Sequence, residues 1–127
     1  MNANEMIRGL RAALEPLYGR YVFKVDLGGN LGDTDSVHVT LATVPKGSPE
    51  IDCTNAKARI MVSIAGADHA MNGWVRGGDA PSELTVSQFR GGPLKLRKKT
   101  GAPDVVVEYL IKWFVKNKSE FDKYATE

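Results

Sequence analysis

Residues 91–124 read GGPLKLRKKTGAPDVVVEYLIKWFVKNKSEFDKY, and the fold is decided by how they are parsed. Pro103 suits the first position of a helix, where a missing N–H costs nothing, and Asp104 complements the positive end of the helix dipole. Val106, Leu110, Trp113, Asn117, Phe121 and Tyr124 then recur at spacings of three and four, with Val107 and Phe114 widening the face. This periodicity predicts a helix from Pro103 to Lys116, with an extension to Tyr124. Val105, Val106 and Val107 are β-branched and weak helix formers, so packing must hold the helix. Upstream, Leu94-Lys95-Leu96-Arg97 alternates with period two, as a half-buried strand does. Lys98 and Lys99 then bring cations to the helix start, where free backbone N–H groups favour an anion.

Outward from this segment, the chain reads as alternating strands behind a first helix. Asn4 can cap a helix whose stripe is Ile7, Leu10, Leu14 and Leu17, with Met6 and Ala13 at its margin. Pro16 is expected to end its regular part, and Gly19 to complete the stop. Tyr21, Phe23, Val25 and Leu27 mark a strand, as do Val37, Val39 and Leu41, and the two are expected to form a hairpin. Ala58, Ile60, Val62 and Ile64 mark a third strand. Leu84 and Val86 open a fourth that ends near Arg90. The expected fold class is α+β: one domain over residues 1–127, with a mostly antiparallel sheet of four or five strands flanked by an N-terminal and a C-terminal helix. Leu14, Phe23, Val39, Ile60, Leu110 and Trp113 are the expected core. The 66–82 connection carries Gly73, Gly77 and Gly78 with little apolar periodicity, and is expected to be mobile or partner-bound.

Length and charge narrow the function classes. The chain has 127 residues and a net charge of +2. Its charge is unevenly spread. Arg90, Lys95, Arg97, Lys98 and Lys99 form a run with no acid, whereas 26–52 holds five acids against Lys46 alone. Such polarity can orient a partner. The single cysteine, Cys53, points to a reducing compartment, and the sequence shows neither a signal peptide nor a membrane span, so a cytoplasmic protein without membrane partners is expected.

No catalytic set emerges. His38-Val39-Thr40 has the H-x-T form of two-histidine phosphoesterases, but the second histidine lies in His69-Ala70-Met71. Cys53 has no activating neighbour in sequence. Asn30, Asp33 and Asp35 do not follow a calcium-loop pattern, and the histidines and cysteine lack zinc spacing. The glycine pairs fit no nucleotide-binding fingerprint. An enzyme built on His38, His69 or Cys53 is the least favoured class, and no cofactor or metal is expected.

Two binding classes remain. One is an adaptor or inhibitor, of the kind a phage or other mobile element carries, that meets an acidic protein surface. It would use Arg90, Lys95, Arg97, Lys98 and Lys99 together with Trp74 and Arg76, since Trp and Arg are frequent interface anchors. The other is a nucleic-acid binder that contacts phosphates through the 90–99 run. The helix–sheet–helix order with Lys98-Lys99 resembles double-stranded RNA-binding domains, although here the lysines precede Pro103 instead of lying inside the helix. The modest net charge, and Phe89 as the one aromatic beside the run, favour a protein partner.

Overall fold

The structure is a computed structural model that describes residues 3–27, 36–48, 56–65, 82–90 and 94–125; for 65, 82, 83 and 85–90 it describes the backbone alone. Its elements are α1 (Ala3–Tyr18), β1 (Tyr21–Leu27), β2 (Ser36–Pro45), β3 (Arg59–Ala65), β4 (Ser82–Arg90), β5 (Thr100–Gly101), α2 (Pro103–Lys116) and α3 (Lys118–Lys123). The domain is α+β, an antiparallel sheet flanked by N- and C-terminal helices.

Each strand pairs with its neighbour in sequence, so the sheet is a meander. Its body is β1, β2 and β3. Val25 lies opposite Val39, which lies opposite Val62; Leu27, Val37 and Ile64 form the next row. These rows put every apolar residue of the alternation on one face, as period two requires. Val25, Val37, Val39, Leu41, Ile60, Val62 and Ile64 are all buried there. The other face carries exposed Lys24 and Asp26 and half-buried His38, Thr40, Arg59, Met61 and Ser63. β4 lies along β3, and β5 pairs only with Ser82 and Glu83.

One core joins both helices to the sheet. Met6, Leu10, Leu14 and Tyr18 of α1 meet Val106, Leu110, Trp113 and Phe114 of α2 and Phe121 of α3. Five of the six expected core residues belong to it. Phe23 is half-buried at its edge, stacked on Tyr18 with ring centroids 5.8 Å apart. Tyr18 is fully buried, and its hydroxyl donates to the Phe114 carbonyl at 2.6 Å. That bond satisfies one of the carbonyls that the last turn of a helix leaves without an intrahelical partner. Burial, then the nearby Asp122 charge and Tyr21, raise the Tyr18 phenol well above its ordinary value.

The elements depart from the sequence expectations at four places. α1 continues through Pro16, because the carbonyl that proline leaves without a partner belongs to Ala12, an exposed residue of the helix. Asn4 lies inside this helix, and the buried stripe is Ala3, Met6, Leu10, Leu14 and Tyr18, with Ile7 and Leu17 at its margin. Gly19 does end the helix: a Cβ there would sit 2.7 Å from the Glu15 carbonyl oxygen. The C-terminal helix breaks at Asn117, whose φ of −99° and ψ of 8° are non-helical. Its side-chain amide donates to the Trp113 carbonyl at 2.8 Å, the local competition that makes asparagine a poor helix interior. The Asn117 carbonyl then accepts from Glu120 and Phe121 and starts α3. Finally, Leu94–Arg97 is not a strand, for a reason found in α2.

The far end of the hairpin is closed by two local devices. Gly47 takes the positive φ of 91° at the third position of the turn from Pro45 to Ser48, where Ser48 N–H donates to the Pro45 carbonyl. Thr43 is fully buried and exchanges hydrogen bonds with Ala58 through both backbone and hydroxyl, extending the β2–β3 contact beyond Ala42 and Arg59.

Candidate functional site

Segment 94–99 keeps the alternation of a strand without the ladder. Leu94 is buried and Leu96 half-buried, whereas Lys95 and Arg97 are exposed. The Trp113 indole N–H donates to the Lys95 carbonyl at 2.8 Å, so α2 supplies through a side chain the partner that a neighbouring strand would have supplied. At the other end, the Lys99 carbonyl accepts from Leu84 N–H at 3.1 Å, and the Lys99 ammonium lies 5.6 Å from the centre of the Tyr109 ring. The segment therefore runs antiparallel to α2, with Lys95 beside Trp113 and Lys99 beside Tyr109.

A groove of about 710 Å³ opens between the segment and the helix. Lys95 and Arg97 line one wall; Tyr109, Lys112 and Lys116 line the other; Asn117 and Glu120 line the end beyond Trp113. The helical wall follows from spacing, since positions 109, 112 and 116 recur at three and four residues along one flank of α2, while Glu120 comes from α3 beyond the break. Glu108 holds Lys112 at 2.9 Å and Glu120 holds Lys123 at 2.9 Å. Among the described residues no carboxylate lies within ion-pair distance of Lys95, Arg97 or Lys116. Trp113 is 8% exposed with its N–H committed, so it forms a wall of the groove and not a stacking platform. Tyr109 is half-buried, with Lys99 against its ring.

The structure places the sequence-predicted residues unequally. Lys95 and Arg97 meet in the groove. Lys98 is exposed outside its lining. The run leads along the flank of α2, with the Lys99 ammonium against the ring of Tyr109, six positions into the helix. Arg90 ends β4 opposite Arg59. Trp74, Arg76, Cys53, His69 and most of the 66–82 connection lie outside the described residues. His38 sits on the sheet face away from the helices, between Asp26 and Ser63 in register, with Nε2 3.4 Å from the Ser36 hydroxyl. Sequence reasoning missed Tyr109, Lys112 and Lys116. Lys112 and Lys116 lie off the apolar face of α2, and their i, i+4 spacing is the signal that puts them on a common flank.

A second charged cluster ties β1 to α3. Asp122 accepts from the Tyr21 hydroxyl at 2.8 Å and from the Lys118 ammonium at 2.9 and 2.7 Å, with Arg20 3.8 Å away. Arg20 also donates to the Tyr21 hydroxyl. Partial burial pushes the Asp122 carboxyl up, but the hydrogen bonds from Lys118 and Tyr21 and the charges of Lys118 and Arg20 outweigh it and hold the group below its ordinary value.

Among the described residues no three His, Cys, Asp or Glu side chains converge as metal ligands, and no helix is long and apolar enough to cross a membrane. The chain matches no protein-family model, no curated protein and no solved structure.

Proposed function

We propose that this chain is a non-enzymatic binding module, an adaptor or inhibitor, that receives an acidic region of a protein partner in the groove between segment 94–99 and α2. The observation that carries the proposal is the gathering of Lys95, Arg97 and Lys116 around one cavity with no carboxylate of the described residues in ion-pair range. Cations brought together from two elements repel one another, and an anion from outside relieves that repulsion. The groove is pre-formed, with Trp113 bonded to the opposite wall, so binding need not order it first. The lone Cys53 supports a reducing, cytoplasmic setting.

Nucleic acid is the other reading, supported by the half-buried Tyr109 beside the cations. Glu120 in the groove wall and Glu108 beside Lys112 weigh against it, because a continuous polyanion meets both. The test is a titration of the full chain with an aspartate-rich peptide and with oligothymidylate, across a salt series. Tighter peptide binding that is abolished by joint Lys95→Glu, Arg97→Glu, Lys112→Glu and Lys116→Glu changes supports the protein reading. Tighter oligothymidylate binding with a steep salt slope overturns it.

A further inference from the structure

The two walls of the groove carry their cations at nearly equal intervals. Lys95 and Arg97 are alternate residues of an extended segment, and such residues recur every ~6.6 Å on one side. Lys112 and Lys116 are one turn apart on a helix, a rise of about 6 Å. A chain laid between the walls in extended conformation presents its own alternate side chains at the same ~6.6 Å repeat. It then meets cations from either side at each acidic residue, while the residues between point outward. The cavity of about 710 Å³ has the volume of a small-ligand pocket, room for a few residues of an extended chain and not for a folded surface.

The groove also has polarity. Lys95 lies beside Trp113, and beyond it Asn117 and Glu120 form the lining. The C-terminal end of α2 adds the negative pole of its dipole there. An anion is thus favoured from Tyr109 to Lys116 and opposed past Asn117.

On the reading above, that the groove takes an acidic protein partner, we propose that its occupant is an extended segment bearing acidic residues at alternate positions, with a neutral or basic residue where it passes Glu120. Two features carry this: the matched cation intervals, in which Lys112 is answered only by an exposed pair with Glu108, and Glu120, the one acid of the groove lining, which also meets Lys123 in a surface pair.

The experiment uses the full chain and fluorescein-labelled probes read by anisotropy. Two peptides share length, composition and charge: one alternates Asp with Ala, the other collects its Asp residues in one block. Oligothymidylate is the third probe. The alternating peptide is expected to bind more tightly than the block peptide by about fivefold for each ion pair the block arrangement forfeits, the upper worth of an exposed pair. Glu120→Lys is expected to narrow the preference for the alternating peptide over oligothymidylate, and Glu120→Gln to do so in part. Circular dichroism of both variants establishes that they fold. Equal affinity for the two peptides overturns the inference and leaves the acidic-partner reading intact. An unchanged preference in folded Glu120→Lys overturns the polarity and with it the inference. Binding of oligothymidylate alone, or of no probe, overturns both.

Discussion

Two charged clusters lie along the C-terminal part of the chain, one at the β1–α3 junction and one between segment 94–99 and α2, and they differ in where the acid comes from. At the β1–α3 junction, Arg20 and Lys118 converge on Asp122, and Tyr21 completes the carboxylate's hydrogen bonding. The chain has closed that cluster with its own acid. In the groove, Lys95 and Arg97 come from one element and Lys112 and Lys116 from another, and Glu108 answers Lys112 alone. The difference teaches that a count of cations is a poor guide to a binding surface. What separates a structural cluster from a receptive one is whether a neighbouring carboxylate has already taken the charge.

The most damaging test removes the frame that both clusters share. Leu110 is fully buried in the core between α2 and the sheet. Leu110→Ala is expected to lower stability by about 2–5 kcal/mol, read as a fall in the urea midpoint. An unchanged midpoint would refute the helix register on which groove and junction both depend.

Next in size is Tyr18, which joins α1 to the end of α2. Tyr18→Phe leaves the Phe114 carbonyl without its hydroxyl partner and is expected to cost about 1–3 kcal/mol. The sign of its pH dependence follows from a folded phenol raised above the ordinary tyrosine value. Its contribution is fully present below the unfolded value of about 10 and is lost as pH rises from there toward the folded value. Wild type should therefore lose stability under alkaline conditions more steeply than Tyr18→Phe, and parallel alkaline curves would remove this account.

Asp122→Asn opens the closed cluster. The carboxylate is partly exposed and solvent screens it, so a loss of about 1 kcal/mol or less is expected near neutrality. Because the folded carboxyl is held below its ordinary value, its contribution is present above the unfolded value of about 4 and disappears as pH falls through the folded one. The gap between wild type and Asp122→Asn should thus shrink in acid. A gap that widens there would show that the junction is not held by the ionised form.

The smallest effect on stability is expected from joint reversal of Lys95, Arg97, Lys112 and Lys116 to Glu. Lys112 is three-quarters exposed and its bond to Glu108 is a surface pair, so stability should move by under about 1 kcal/mol while peptide binding is lost. A folded variant that binds with undiminished affinity would dissolve the comparison, leaving two surface clusters with no functional contrast.

How much of this was legible in the sequence depended on whether local period or side-chain competition decided the outcome. Alternation alone located β1, β2 and β3 and named their buried faces, since one-sided burial leaves a period of two. Pro103 marked the start of α2. The break at Asn117 was hidden, because Trp113, Asn117, Phe121 and Tyr124 keep helical spacing straight across it, and only the amide bond to Trp113 reveals the interruption. Segment 94–97 showed a true burial pattern attached to the wrong backbone partner. The groove was half visible. Lys95 and Arg97 stood out as a run, whereas Lys112 and Lys116 belonged to a helix whose apolar face had drawn the reading. A run is local in sequence; a groove with two walls is not.

The order in which the chain emerges during synthesis gives the Tyr18–Phe114 bond a further meaning. Its partners are 96 residues apart, yet every strand pairs with the strand just before or after it. The hairpins can therefore form one after another as each leaves the ribosome, because each strand waits only for the next one in sequence. The apolar face of the sheet has α1 available early but gains α2 only when the last quarter of the chain is made. Until then the core that holds Val62, Ile64 and Leu84 lacks the α2 side chains that complete it, and such transient apolar surface is what chaperones recognise and aggregation exploits. A nascent chain halted before Pro103 should consequently be the form most dependent on a chaperone.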